Sequence, residues 1–152
     1  MSIDARLAEL NIELPEAAAP VAAYVPAVEV GGLLHISGQL PFKDGQLMLG
    51  RCGEDAEEAF ANEAAERCAV MLLAQIKAAL GSLDRVARIV KLGVFVSSTP
   101  AFIAQPKVAN GASELMVKVF GDAGKHARSA VGVAVLPLGA VVEVDAIVAI
   151  AG

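Results

Sequence analysis

Tryptophan is absent from this chain of 152 residues, and a single tyrosine stands beside five phenylalanines. That leaves no row of aromatic platforms on which unpaired bases could stack. Positive charge is also short: 12 Lys and Arg against 17 Asp and Glu give a net charge of −5, the wrong sign for tracking a phosphate backbone. The two cysteines, Cys52 and Cys68, and the two histidines, His35 and His126, fall at no metal-ligand spacing. Neither a metal site nor a structural disulfide is expected from them. Long apolar runs are missing as well. The longest uncharged stretches are the 15 residues between Lys91 and Lys107 and the 14 between Arg128 and Glu143, both short of the ~18–20 a spanning helix needs, and a Pro-Leu-Gly turn signal interrupts the second. The opening MSIDARLAELNIELPEA is acidic and amphipathic, unlike a secretory leader. The expectation is a soluble, cytoplasmic protein with no membrane or nucleic-acid partner.

What is abundant is apolar residue, at 56% of the chain, with a mean hydropathy of +0.61. A chain of this length is most simply one domain over residues 1–152, burying about two thirds of its unfolded surface. The apolar surplus beyond one core points to surface covered by another subunit.

Periodicity divides the chain. IDARLAEL, 3–10, fits a short amphipathic helix capped by Ser2, and PEAAAP breaks it, so that 1–19 reads as a helical extension. YVPAVEV (24–30) and LLHISGQ (33–39) flank Gly31-Gly32, a hairpin signal; GQLMLG (45–50) suits another extended piece. Asp55-Ala-Glu-Glu58 has a capping-box pattern, and Phe60, Ala64, Cys68, Met71, Leu72, Ile76, Ala79 and Leu80 predict one face of a long helix ending at Gly81. VARIVKLGVFV, 86–96, reads as a strand apolar on both faces, lying between layers. Thr99-Pro100 opens a second helical region that Pro106 kinks or restarts, and its stripe from Val108 to Phe120 stops at Gly121. Two strands, about 128–136 and 141–150, read as a closing hairpin. The layout is α+β, one sheet backed by two helices.

The closing segment sets one guanidinium and one carboxylate at the edges of its most apolar run. Arg128 shares a strand face with Ala130, Gly132 and Ala134, small neighbours that leave room above the sheet. With the turn at Pro137-Leu138, Glu143 falls opposite about Gly132, roughly 13–17 Å along the sheet from Arg128. The two charges cannot meet within one hairpin; they can share a ligand only if they come from different copies of the chain. Each also has a plain explanation: Arg128 as a solvated edge charge, Glu143 as a residue on a wet face.

RSAVGVAVLPLGAVVEVDAI, 128–147, resembles the C-terminal signature of the RidA/YjgF family of imine/enamine deaminases, which also carries the labels L-PSP endoribonuclease and translation inhibitor. YVPAV (24–28) and ISGQLP (36–41) match its Tyr and Ser-Gly-Gln elements, and VFVSSTPAF (94–102) with Asn110 resembles its central strand and following helix. The similarity spans roughly 20–150, and the longer N-terminus places the chain nearest a less characterised branch. The resemblance implies a chorismate-mutase-like fold, one mixed sheet backed by two main helices, assembled as a homotrimer with clefts between subunits. It implies that small 2-imino or enamine acids are hydrolysed there to 2-keto acids and ammonia, without metal or cofactor. Arg128 would hold the substrate carboxylate, Glu143 would activate water, Ser37 and the Gly38 backbone would contact substrate or water, and Tyr24 and Asn110 would line the pocket.

Departures are visible. Ala130 stands where many members have Cys, and His126-Ala127 replaces a common Pro-Ala pair, after a loop longer by one residue. His126 reads as an exposed loop residue, with a place on the pocket rim as the alternative; His35 reads as a packed strand histidine. Ser37 has no His or Asp nearby in sequence to make it a nucleophile. The competing function is a non-catalytic trimer that binds a small carboxylate and needs Arg128 but not Glu143. Ribonuclease activity is disfavoured by the acidic charge and the lack of a His pair for acid/base cleavage.

Overall fold

The computed structural model describes residues 1–20 and 23–152. Ser2 caps helix α1 (Ile3–Glu9) by accepting from the Ala5 amide, as its position predicts. Strands β1 (Ala27–Val30) and β2 (Leu33–Gln39) form the expected hairpin, with Gly31 and Gly32 both at positive φ, which suits a two-residue turn. A small ribbon follows, β3 (Phe42–Lys43) with β4 (Gln46–Leu47). Helix α2 spans Glu58–Leu80 and ends on Gly81 in the left-handed conformation. The capping box does not form: Glu57 is the N-cap without a side-chain bond, and Asp55 instead accepts from the Arg51 amide. Of the predicted stripe, Phe60 and Ala79 are exposed and the rest is buried.

Strand β5 (Val86–Ser97) leads through a turn at Thr99–Ala101 to helix α3 (Gln105–Phe120), so the helix starts later than Thr99-Pro100 suggests, with Pro106 in its first turn. Strand β6 (Ala127–Val133) then returns parallel to β5, a pairing that requires a crossover and receives it from α3. The last strand is β7 (Val142–Ile150). The main sheet has the order β1-β2-β7-β5-β6, mixed in direction.

This order corrects the closing hairpin. β6 and β7 do not pair; β5 lies between them, parallel to one and antiparallel to the other. The connection is tied elsewhere: Gly50 donates to the Gly139 carbonyl, Val141 to Met48, and Ser97 to Val141. These bonds carry the chain across to the centre of the sheet.

Both long helices cover one face, against Leu34, Ile36, Leu92, Val94, Val96, Val142, Val144, Ala146 and Val148. Cys52 and Cys68 are free thiols within this core, each with no exposed surface. Cys68 donates weakly to the Val142 carbonyl at 3.7 Å, and the Cys52 amide and carbonyl bind Ser97 and Thr99. Nothing among the described residues covers the opposite face, so β5 is not sandwiched between layers there. His35 stands exposed on that open face rather than packed. No helix among the described residues is long and apolar enough to cross a membrane.

Candidate functional site

The expected site residues fall into two clusters. In the first, the strand β2 sequence Ser37-Gly38-Gln39 interrupts the regular pairing with β7 between Ile36 and Gln39. Each residue has a separate task. The Ser37 hydroxyl donates to the Val25 carbonyl at 2.9 Å, and its amide to Pro26 at 2.9 Å, fixing the segment after Tyr24. The Gln39 amide donates to the Ser37 carbonyl at 3.0 Å and accepts from Gln75 of α2, which also binds the Ala18 carbonyl. Gly38 leaves room for Glu143: a Cβ there would collide with the Glu143 carboxylate, 2.8 Å from its carboxyl carbon. Tyr24 is 45% exposed and lines a small cleft with Gly38, Leu40, Phe42 and Met71.

Glu143 itself is half-buried on the open face, paired across to Phe95. Burial pushes its carboxyl above the ordinary value, and the neighbouring Asp145 pushes it the same way. Asp145 is raised by burial too, against opposing help from the Gly93 amide and Lys91. A carboxyl held above its usual range is a stronger base when ionised, which suits it to accept a proton.

The second cluster lies on the helix side of β6. Arg128 is paired with the buried Leu92 and so points under α3. Its Nη1 donates to Asn110 Oδ1 at 2.8 Å and to Ser113 Oγ at 3.1 Å. Both Nη1 hydrogens are thus used, while the Nε–Nη2 edge has no hydrogen-bond partner among the described residues. No carboxylate among them lies within ion-pair distance of Arg128. A half-buried guanidinium with its forked edge open has the donor geometry that matches a planar anion.

Sequence reasoning missed Ser113 here and gave His126 a place near the pocket only as an alternative. Ser113 follows Asn110 at the i+3 spacing that puts both on one helix face, a signal present in the sequence. His126 is half-buried, neither exposed nor unattached: its Nε2 lies 2.9 Å from Ser113 Oγ and its Nδ1 2.6 Å from the Gly124 carbonyl.

The structure does not bring Arg128 and Glu143 together in one chain. Phe95, the partner of Glu143, lies three residues beyond Leu92, the partner of Arg128. Three residues and two strand spacings separate their Cα atoms by about 14 Å, and the odd count puts the side chains on opposite faces. The separation expected from the sequence therefore holds, for a different reason than a hairpin.

Residues 4–149 match the family model described as "YjgF/chorismate_mutase-like, putative endoribonuclease". The chain is 53% identical over 148 residues to Protein TCP17 of Trypanosoma cruzi, covering 96% of this chain and 92% of that one. It is 30% identical over 141 residues to the 2-iminobutanoate/2-iminopropanoate deaminase of Dermatophagoides farinae, covering 91% and 94%. Among solved structures it resembles Atu1372 of Agrobacterium tumefaciens, a protein of unknown function, with a TM-score of 0.91, 51% identity and coverage of 97% and 92%. With nearly its whole length matched and its signature segments in the places the fold assigns them, the chain belongs to the RidA/YjgF family.

Proposed function

We propose that the protein hydrolyses small 2-imino acids and their enamine tautomers to 2-keto acids and ammonia, in clefts between the subunits of a homotrimer in the cytoplasm. The observation that carries this reading is the division of the site: an open guanidinium fork on one face and a half-buried carboxylate, held above its ordinary range, on the other. A second copy of the chain is what can set them around one ligand. The deaminase activity of a relative aligned over nearly the whole chain supports the same chemistry.

In this mechanism the Nε–Nη2 edge of Arg128 holds the substrate carboxylate, and Asn110 holds the guanidinium. Water attacks the imine carbon while Glu143 takes one of its protons, and the nitrogen gains a proton to give a tetrahedral amino alcohol. Transfer of a second proton to nitrogen breaks the C–N bond, releases ammonia and leaves the keto acid. Ser37 donates to Val25, so its oxygen remains an acceptor that orients substrate or water beside the Gly38 backbone. Tyr24 closes the rim. Positioning supplies much of the acceleration, because imines already hydrolyse unaided.

The test is a coupled assay in which an amino-acid oxidase generates 2-iminopropionate or a longer 2-imino acid and its decay is followed. Wild type accelerates the decay; Arg128→Ala and Glu143→Ala do not. Co-expressing the two variants restores activity, since random mixing returns about a quarter of the clefts in a cyclic trimer to an intact pair. Undiminished activity in either single variant, or none in wild type with any chain length, would overturn the reading. Carboxylate binding retained without turnover in wild type would indicate a binding protein instead.

A further inference from the structure

We infer that Ser113 and His126 are positioning residues for Arg128, forming a relay that ties its guanidinium to the backbone of the loop that follows α3. The inference rests on the reading of Arg128 as the carboxylate anchor. The Gly124 carbonyl can only accept, so the proton of a neutral His126 ring sits on Nδ1, which donates to it. Nε2 is then the acceptor, and the Ser113 hydroxyl must donate to it. With its hydrogen committed, Ser113 Oγ offers its lone pairs to Arg128 Nη1. Every donor and acceptor has one assignment, and the chain runs Arg128 to Ser113 to His126 to Gly124.

Its far end is fixed by packing. Gly124 is buried against α3, where an added Cβ would collide with the Met116 carbonyl and come within 2.9 Å of the Val117 amide. The loop between α3 and β6 is therefore pressed onto the same helix that supplies Asn110 and Ser113. Asn110 alone leaves the guanidinium able to swing about one bond. Ser113 adds a second tether one helical turn along, so that the Nε–Nη2 edge keeps one direction. His126 holds the Ser113 hydroxyl away from competing for that edge.

The experiment combines binding with a direct view of the side chain. Arginine-labelled ¹⁵N spectra, with Arg128 identified by its loss in Arg128→Lys, show slow rotation of its guanidinium in wild type and averaging in Ser113→Ala. Calorimetric binding of pyruvate, used as the probe, weakens about tenfold in Ser113→Ala and about threefold in His126→Phe. Ser113→Thr restores it. KM for 2-iminopropionate rises more steeply than kcat falls. The double variant binds no worse than Ser113→Ala, because His126 acts through Ser113. An unchanged Arg128 spectrum in Ser113→Ala overturns the inference whatever the affinity, and additive losses in the double variant remove His126 from it. If wild type binds no pyruvate while Arg128 still loosens in Ser113→Ala, the relay stands and the imine reading fails.

Discussion

The carboxylate of Glu143 lies over the backbone of Gly38 with no room for a β-carbon between them. Gly38 is not at positive φ, so its glycine is required by that close approach and not by the backbone. Gly38→Ala is therefore expected to leave the strand intact and displace the carboxylate, lowering kcat about 100-fold. Steady-state kinetics with a thermal melt checks this; wild-type kcat in the variant would show that the carboxylate's place does not matter.

Glu143→Gln should separate activity from stability. The folded chain holds this carboxyl above its ordinary value of 4.5, so folding favours the protonated form. That stabilisation is complete below the unfolded value and is lost as pH rises through the folded one. At neutral pH the buried charge is a cost that the amide lacks. The variant should melt about 2 °C higher at pH 7.5, with the gap closing as pH falls through the carboxylate range, while turnover disappears. A melting difference that does not change with pH would contradict the assignment.

Arg128→Lys keeps the charge but loses the fork and its two tethers. KM for a 2-imino acid should rise about tenfold or more. Equal KM values in a direct comparison would mean that a point charge suffices.

Gln75→Leu should destabilise the fold although it touches no proposed ligand. It strips the buried Gln39 and the half-buried Ala18 acceptors of their donor, at about 1–3 kcal/mol. Denaturant titration measures the loss, and Gln39→Leu/Gln75→Leu should recover part of it by removing both halves of the amide pair. Greater loss in the double variant would refute that pairing.

Local order was readable where the chain punctuates itself. Ser2, the Gly31-Gly32 turn and Gly81 each mark the end of an element by a conformation or bond that a short stretch of sequence encodes. The roles expected of Tyr24, Ser37, Gly38, Asn110, Arg128 and Glu143 came from the family resemblance and not from local pattern. The path after β6 was not readable, because Pro137-Leu138-Gly139 signals a turn and says nothing about which strand the chain meets next. That choice depends on bonds from Met48 and Gly50, some ninety positions earlier. His126 was misjudged for a similar reason: its loop looks solvated in sequence, and only the docking of Gly124 onto α3 turns the ring inward. His35 failed in the opposite sense, since its side chain falls on the sheet face that the described residues leave uncovered.

The two sealed thiols give the protein an internal reporter. Burial pushes Cys68 well above, and Cys52 above, the ordinary thiol range, and neither has surface for a reagent to reach. Alkylation therefore proceeds only from opened molecules. Cys68 lies at the heart of the helix-sheet seam and Cys52 in the loop before α2. Their relative labelling rates time two different breathing motions without any inserted dye.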